Sequence, residues 1–277
     1  MTINAVPELI TMAWNSNGIL HQKSTLEHFL AKYNIDIALI SETHLKPIHT
    51  FRVRNYTLLR QDRLNAPLGG LIILHKRHLP IQLYQLPRLN TIEAIAVKIY
   101  SSHRTTLLID VYRPHRQELD PRDIDLLANL HDNIIMAGDL NAKHITWNAR
   151  RSNQSGTILE HYLRTSSLNL LAPPEPTFFP MQLNCLPDIL DVILHRNTMI
   201  TDGPHSINDL DSDHNPILFS IHFNADLYFH SHSVPRTHDW IRYHQLLEDT
   251  LPEVRPLTTQ RDIDTSIADV TRILNTT

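Results

Sequence analysis

The chain has 277 residues, with 25 Lys plus Arg against 29 Asp plus Glu, a formal charge of -4, 42% hydrophobic residues and 19% charged residues. These proportions exclude a disordered or fibrous chain, and the acidic balance argues against a protein that grips nucleic acid by bulk charge alone. The single cysteine, Cys185, excludes an internal disulfide and a cysteine-built zinc site.

Only six glycines occur, at 18, 69, 70, 138, 156 and 203. Their spacing matches neither GxxxxGK[ST] nor GxGxxG, so the glycine loops that cradle nucleotide phosphates are missing. No run of 18 apolar residues predicts a membrane span, and no basic segment followed by a long apolar core marks a secretion signal.

In chain order, 8–14 (ELITMAW) predicts a buried strand that ends at Trp14-Asn15. Ser24 is a candidate cap for a helix whose apolar face is Leu26, Phe29, Leu30 and Tyr33. Segment 36–41 (DIALIS) predicts the next strand. Further strands are predicted at 70–75, 92–99, 105–112, 133–138, 188–194 and 215–222, with helices at 121–131 and 155–166. Many strands with few helices predict an α/β sandwich, two packed sheets with helices outside. Composition changes after about residue 223. A linker is expected over 224–237, followed by helices at 238–250 and 260–274, so the expected organisation is a domain over 1–223 and a tail over 224–277.

Polar residues cluster at the strand ends. Asn15 and Asn17 follow the first strand, and Glu42 follows the second in LISETHL. Tyr112 and Arg113 end another strand, Asp139 and Asn141 follow the next in GDLNAKH, Asp191 lies inside DILDVIL, and Asp213-His214 precede the last. Glu42 with Asp139 or Asp213 offers hard carboxylate oxygens of the kind a divalent ion takes. Asn15 and Asn141 add neutral amides. His214 can donate to a phosphoryl oxygen, with Asp191 as a candidate to fix its tautomer, and Tyr112 and Arg113 can donate to phosphate. No Ser-His or Cys-His pattern supplies a nucleophile, so water is the expected attacking group. The chemistry that fits is metal-assisted hydrolysis of a phosphodiester or phosphomonoester. Taken singly, Glu42 reads as a surface carboxylate and GDxN as a turn; Asp191, in an apolar strand, requires a partner. Their ordered co-occurrence carries the argument.

The series WNSNG (14–18), SETHL (41–45), YRPH (112–115), GDLNAKHITWN (138–148), LDVIL (190–194) and SDHNPI (212–217) resembles the endonuclease/exonuclease/phosphatase superfamily. Within it, the chain is most similar to the apurinic-like endonuclease domain of Jockey-type non-LTR retrotransposons, over about residues 8–222. The resemblance implies a four-layered α/β sandwich with two mixed sheets flanked by helices, dependence on Mg2+ (with Mn2+ as a substitute), and nicking of double-stranded DNA. Carried over by position, it implies that Glu42 binds the metal with Asn15, assisted by Asp213. Asp139 would orient or deprotonate the water, Asn141 and Tyr112 would hold the scissile phosphate, and His214, oriented by Asp191, would stabilise the transition state. Thr177 would lie near DNA. Asn17, Arg113, Arg150 and Arg151 are expected on the substrate side, and Lys46, Arg52, Arg54 and Lys143 are further basic candidates.

The implied product end is a 3′-hydroxyl that primes reverse transcription. The implied partners are the DNA target, the element RNA and a reverse transcriptase domain beyond the tail. The implied location is the nucleus, or the cytoplasm for a protein that is not from a retroelement. An abasic-site repair nuclease, a phosphoinositide phosphatase and a catalytically silent, domesticated relic are the competing readings. Two departures from the family pattern bear on loop geometry: His115 stands where a second Pro is common, and Asn148 follows Trp147 where Gly is common.

Overall fold

The computed structural model describes residues 8–64, 68–101, 104–182 and 185–223, together with residue 262. The chain divides into two units at Leu227–Tyr228. The linker and tail helices expected over 224–277 lie outside the described residues, Asp262 excepted.

The described strands are β1 (Glu8–Asn15), β2 (Ile37–Ser41), β3 (Tyr56–Gln61), β4 (Leu71–Lys76), β5 (Ile81–Tyr84), β6 (Glu93–Tyr100), β7 (Thr105–Tyr112), β8 (Ile134–Asp139), β9 (Asn169–Leu171), β10 (Asp191–Arg196), β11 (Ile200–Ser206) and β12 (Ile217–His222). The helices are α1 (Lys23–Lys32), α2 (Pro121–Ala128) and α3 (Gln154–Thr165). One sheet has the order β11-β12-β1-β2-β4-β3 and the other β5-β6-β7-β8-β10-β9. Both are mixed: β1–β2 and β7–β8 run parallel, and the remaining pairs antiparallel.

Three apolar cores separate four layers, as expected of the sandwich. Between the sheets lie Ala13, Leu39, Ile73, Val97, Leu108, Ala137, Ile193 and Phe219. Under α1 lie Met12, Trp14, Phe29, Ile40 and Leu74. Under α2 and α3 lie Ile109, Ile124, Leu127, Met136 and Leu159. Strands covered on both faces need apolar side chains on both, so β2 and β8 read as unbroken apolar runs.

The eight strands predicted from sequence are all interior to their sheets. The four not predicted, β3, β5, β9 and β11, are the four edge strands. An edge strand is half-exposed and needs no continuous apolar run, and β11 also carries a register shift around Gly203-Pro204. The helix caps differ in detail. Asp120 caps α2, with Pro121 in its first turn, as such sequences favour. Ser24 is not a cap: α1 begins at Lys23, after Gln22, with no side-chain cap. The helix expected over 121–131 ends at Ala128.

Candidate active site

Strand alternation aims the polar residues. On β1, Leu9 and Ala13 face the inter-sheet core and Met12 and Trp14 face α1, so Asn15 continues the inner face. The same parity puts Tyr112 beside Leu108, Asp139 beyond Ile135 and Ala137, and Asp191 before Ile193, all on the inner face. Asp139 and Asp191 are register partners across β8 and β10. Strands β1, β2, β7 and β8 end at the edge of the sandwich where β10 and β12 begin, so their side chains meet there.

The hydrogen bonds join the two sheets. The Asn15 amide Nδ2 donates to Glu42 Oε1 at 2.9 Å and to Asp139 Oδ2 at 3.0 Å, while its Oδ1 accepts from the Asn17 N–H at 3.1 Å. His214 Nδ1 donates to Asp191 Oδ2 at 2.9 Å, and its Nε2 lies 3.8 Å from Asp139 Oδ2. His214 is buried, and its imidazole packs against Phe178, with ring centroids 4.8 Å apart. Ser212 Oγ donates to the Asn15 carbonyl at 2.9 Å and accepts from the His214 N–H at 3.1 Å, tying the β12 entry to the end of β1.

The electrostatics follow from burial and crowding. Burial pushes Asp139 up, and the Asp191 charge adds to this. His214, Asn15 and Asn141 oppose it, and Asp139 comes to about 7. Burial alone would lower His214, but Asp191, Asp139 and Asp213 overcome it and raise the imidazole to about 9. Burial would likewise raise Glu42, yet hydrogen bonds from His44, Tyr112 and Asn15 and the His214 charge hold it at about 2. Burial and the neighbouring Glu42 and Asp139 push the Tyr112 phenol well above its ordinary value, so it stays a donor to Glu42. An ionised Glu42 beside Asp139, Asp191 and Asp213 would repel a phosphate unless a cation lay between them. Among the described residues, no group of three or more His, Cys, Asp or Glu side chains is placed to hold a metal ion by itself. Glu42 with one further carboxylate, waters and substrate oxygens is the kind of incomplete oxygen donor set that suits a hard divalent cation.

Two expected substrate contacts, Arg113 and Thr177, are turned inward, while Asn141 stays beside Asp139. Arg113 is 2% exposed and donates to the carbonyls of Leu140, Pro114, Gln117 and Asn141, so it staples the ends of β7 and β8 instead of facing phosphate. Thr177 is fully buried, and its Oγ1 accepts from the Leu190 and Asp191 N–H groups at 3.0 and 3.2 Å, which seats Asp191 rather than DNA. Asn141 spends its amide N–H groups on the Arg113 carbonyl at 2.9 Å and on Asp139 at 3.1 Å, which orients the carboxylate.

The remaining candidates lie outward. Asn17 is exposed and donates to Asp213 Oδ1 at 3.2 Å. Arg150 and Arg151 are exposed and line a cleft of about 480 Å3 with Lys143 and Asp188. Asp188 accepts from the Arg150 N–H and pairs with Lys143, and it bridges to Phe178, which joins the cleft to the His214 side of the site. Lys46, Arg52 and Arg54 are exposed on loops of the β1–β4 side.

Sequence reasoning passed over His44, Ser212, Phe178, Arg63 and Glu93. His44 approaches Glu42 at 3.4 Å, and Arg63, paired with Glu93, lies 5.8 Å over the Tyr112 ring. His44 and Ser212 stood inside the quoted SETHL and SDH motifs. Arg63 has no local signal, because only the tertiary fold brings it to Tyr112.

Comparisons with known proteins bear on the fold that carries this site. The sequence profile of the endonuclease-reverse transcriptase family matches residues 106–218. A probable RNA-directed DNA polymerase from transposon X-element of Drosophila melanogaster is 27% identical over 264 residues, covering 92% of this chain and 29% of that protein. The RNA-directed DNA polymerase from mobile element jockey of the same fly is 28% identical, covering 78% of this chain and 24% of that protein. Among solved structures, the endonuclease domain of TRAS1, a telomere-specific non-LTR retrotransposon, matches with a TM-score of 0.65 at 20% identity, covering 79% of this chain and 100% of that one. The chain thus has the fold of these nucleases and is similar in sequence to the endonuclease-reverse transcriptase family over residues 106–218. Its curated relatives are polymerases of Drosophila mobile elements, the jockey element among them. An AP endonuclease from Leishmania major shares the fold with a TM-score of 0.60 at 14% identity, over 78% of this chain and 88% of that one. The chain spans less than a third of the length of the curated relatives it matches.

Proposed function

We propose that the chain is a divalent-metal-dependent endonuclease that nicks one strand of duplex DNA by attack of water on a phosphodiester. The observation that carries this reading is the polar row that runs across both sheets: Asp191 is hydrogen-bonded to His214, His214 lies 3.8 Å from Asp139, and Asn15 hydrogen-bonds both Asp139 and Glu42. Water oxygen bonds to phosphorus as the bond to O3′ breaks. One water proton goes to Asp139, and the departing O3′ takes up a proton from solvent to become a 3′-hydroxyl, leaving a 5′-phosphate. Asp139, raised to about 7, titrates where a general base is effective near neutral pH. Asn15 and Asn141 aim its carboxylate. His214 is positive at neutral pH, and Asp191 holds its Nδ1, so Nε2–H faces the charge that develops on the phosphoryl oxygen.

Glu42 would hold Mg2+, or Mn2+ in its place, with Asn15 fixing its orientation and Asp213 assisting from the other flank. When bound, the cation supplies Lewis-acid charge neutralisation of the phosphate. Positioned acid–base chemistry supplies only about 10²–10⁴-fold, so fixed donors and the cation must contribute the larger share of the acceleration. Arg150 and Arg151 would meet phosphates of the flanking DNA backbone. The 3′-hydroxyl would prime reverse transcription in the nucleus by a polymerase segment of a longer polyprotein, on the element RNA as template. This extension is supported by the similarity to RNA-directed DNA polymerases of mobile elements and by the share of their length that the chain covers.

The test is relaxation of supercoiled plasmid without abasic sites. Nicking should require Mg2+, stop on chelation and be lost in Asp139→Ala, and a polymerase should extend the nick without end repair. Nicking that survives both chelation and Asp139→Ala would sink the proposal.

A further inference from the structure

The turn after β2 is built around two side chains, and only one of them is used in the reading above. Glu42 and His44 both have left-handed backbones, with φ of +48° and +55°. The turn that imposes them is held from both sides. The Gly18 N–H donates to the Glu42 carbonyl at 2.9 Å, the Ile19 N–H to the Thr43 carbonyl at 3.1 Å, and the His44 N–H to the Gly69 carbonyl at 2.9 Å. Thr43 between them is buried, and its Oγ1 would lie only 2.8 Å from a Cβ at Gly70. Glu42 and His44 therefore emerge together on the site side. A Cβ at Gly18 would stand 3.2 Å from His44 Nδ1, so the glycine of WNSNG leaves the imidazole room to lie where it does. His44 Nε2 is 3.4 Å from Glu42 Oε2, while Asn15 donates to Oε1 at 2.9 Å. Each carboxylate oxygen thus faces its own donor.

We propose that His44 is a positioning residue whose Nε2–H fixes the Glu42 carboxylate so that it presents one set edge to a divalent cation. The role rests on the metal-dependent reading of the site. It is played in the tautomer that carries its proton on Nε2. Loss of such a supporting partner typically weakens metal affinity by about 10–100-fold. Two variants separate reach from backbone preference. In His44→Asn the residue still tolerates the left-handed turn, but its amide reaches only as far as Nδ1 does. In His44→Gln the amide reaches the place of Nε2.

The experiment is calorimetric titration of Mn2+ alone into the full 277-residue chain, beside thermal midpoints. His44→Asn should bind Mn2+ about tenfold more weakly than the parent with a similar midpoint, and His44→Gln should recover most of the affinity. Binding by His44→Asn equal to the parent overturns the role, and so does an equal loss in both variants with lowered midpoints. If the parent and Glu42→Ala bind Mn2+ equally, the metal-dependent reading itself fails and takes this role with it, which is a different result from failure of His44 alone.

Discussion

His214 and Asp139 share one buried corner, and their shifts act on stability in the same direction. His214 rises from 6.5 to about 9, so the stability it adds is complete below about 6.5 and is lost as pH climbs through 9. Asp139 rises from 3.8 to about 7, so its neutral form is favoured by the fold, and that contribution fades as pH climbs through 7. In chelator, the thermal midpoint of the parent should fall between pH 6 and 9. The difference between the parent and His214→Gln should shrink over the same range, and a midpoint that rises with pH would contradict the assignment. Activity should respond more sharply than stability. His214→Ala should cut kcat by about 10²–10⁴-fold in plasmid nicking while circular dichroism stays that of the parent. Asn148 belongs at this scale too. It stands where the family often has Gly, at φ +65°, and Asn is among the residues that best tolerate that conformation. His115, the other departure, is exposed in the turn after β7. These local substitutions were legible as departures in the sequence, but the conformation that makes Asn148 acceptable was not.

At the scale of elements, inner residues hold the catalytic ones. The Thr177 hydroxyl accepts the two N–H groups that begin β10, so Thr177→Val leaves two buried donors unmet. It should cost roughly 2–4 kcal/mol in denaturant unfolding and reduce nicking by displacing Asp191. Thr177→Ser, which keeps the oxygen, should restore most of both; a valine variant as stable and active as the parent would rule this support out. Gly156 in the first turn of α3 is pressed against the loop after β8, where an added Cβ would lie 1.8 Å from the Lys143 carbonyl oxygen. Gly156→Ala should therefore destabilise by at least about 1–3 kcal/mol, although alanine ordinarily favours a helix. Unfolding midpoints decide the sign. The inner strands were legible because burial on both faces writes an unbroken apolar run. The edge strands were not, because YTLLRQ, IQLY, NLL and ITDGPHS each keep a face or an end in solvent.

At the scale of the molecule, a chain of charge -4 that is proposed to hold DNA would do so through a few local cations. Each phosphate contact contributes about -0.9 to the slope of log affinity against log salt on duplex DNA. Replacing Arg150 and Arg151 together by Ala should lower the magnitude of that slope by about 2, read by fluorescence anisotropy on a short duplex, with the melting temperature little changed. An unchanged slope would remove both residues from the DNA path.

The residue types and their order along the chain already specified the layered fold, the strand ends that carry chemistry, and the pairing of an acid with His214. Periodicity and side-chain chemistry are local properties and can be read from neighbours in sequence. Only the tertiary structure decided which polar groups face the reacting centre and which face inward. Arg113 and Thr177 have donors and acceptors suited to phosphate, yet backbone groups elsewhere in the chain claim them. A hydrogen-bonding group is committed by whatever lies within about 3 Å of it, and that distance is set by the packing of two sheets.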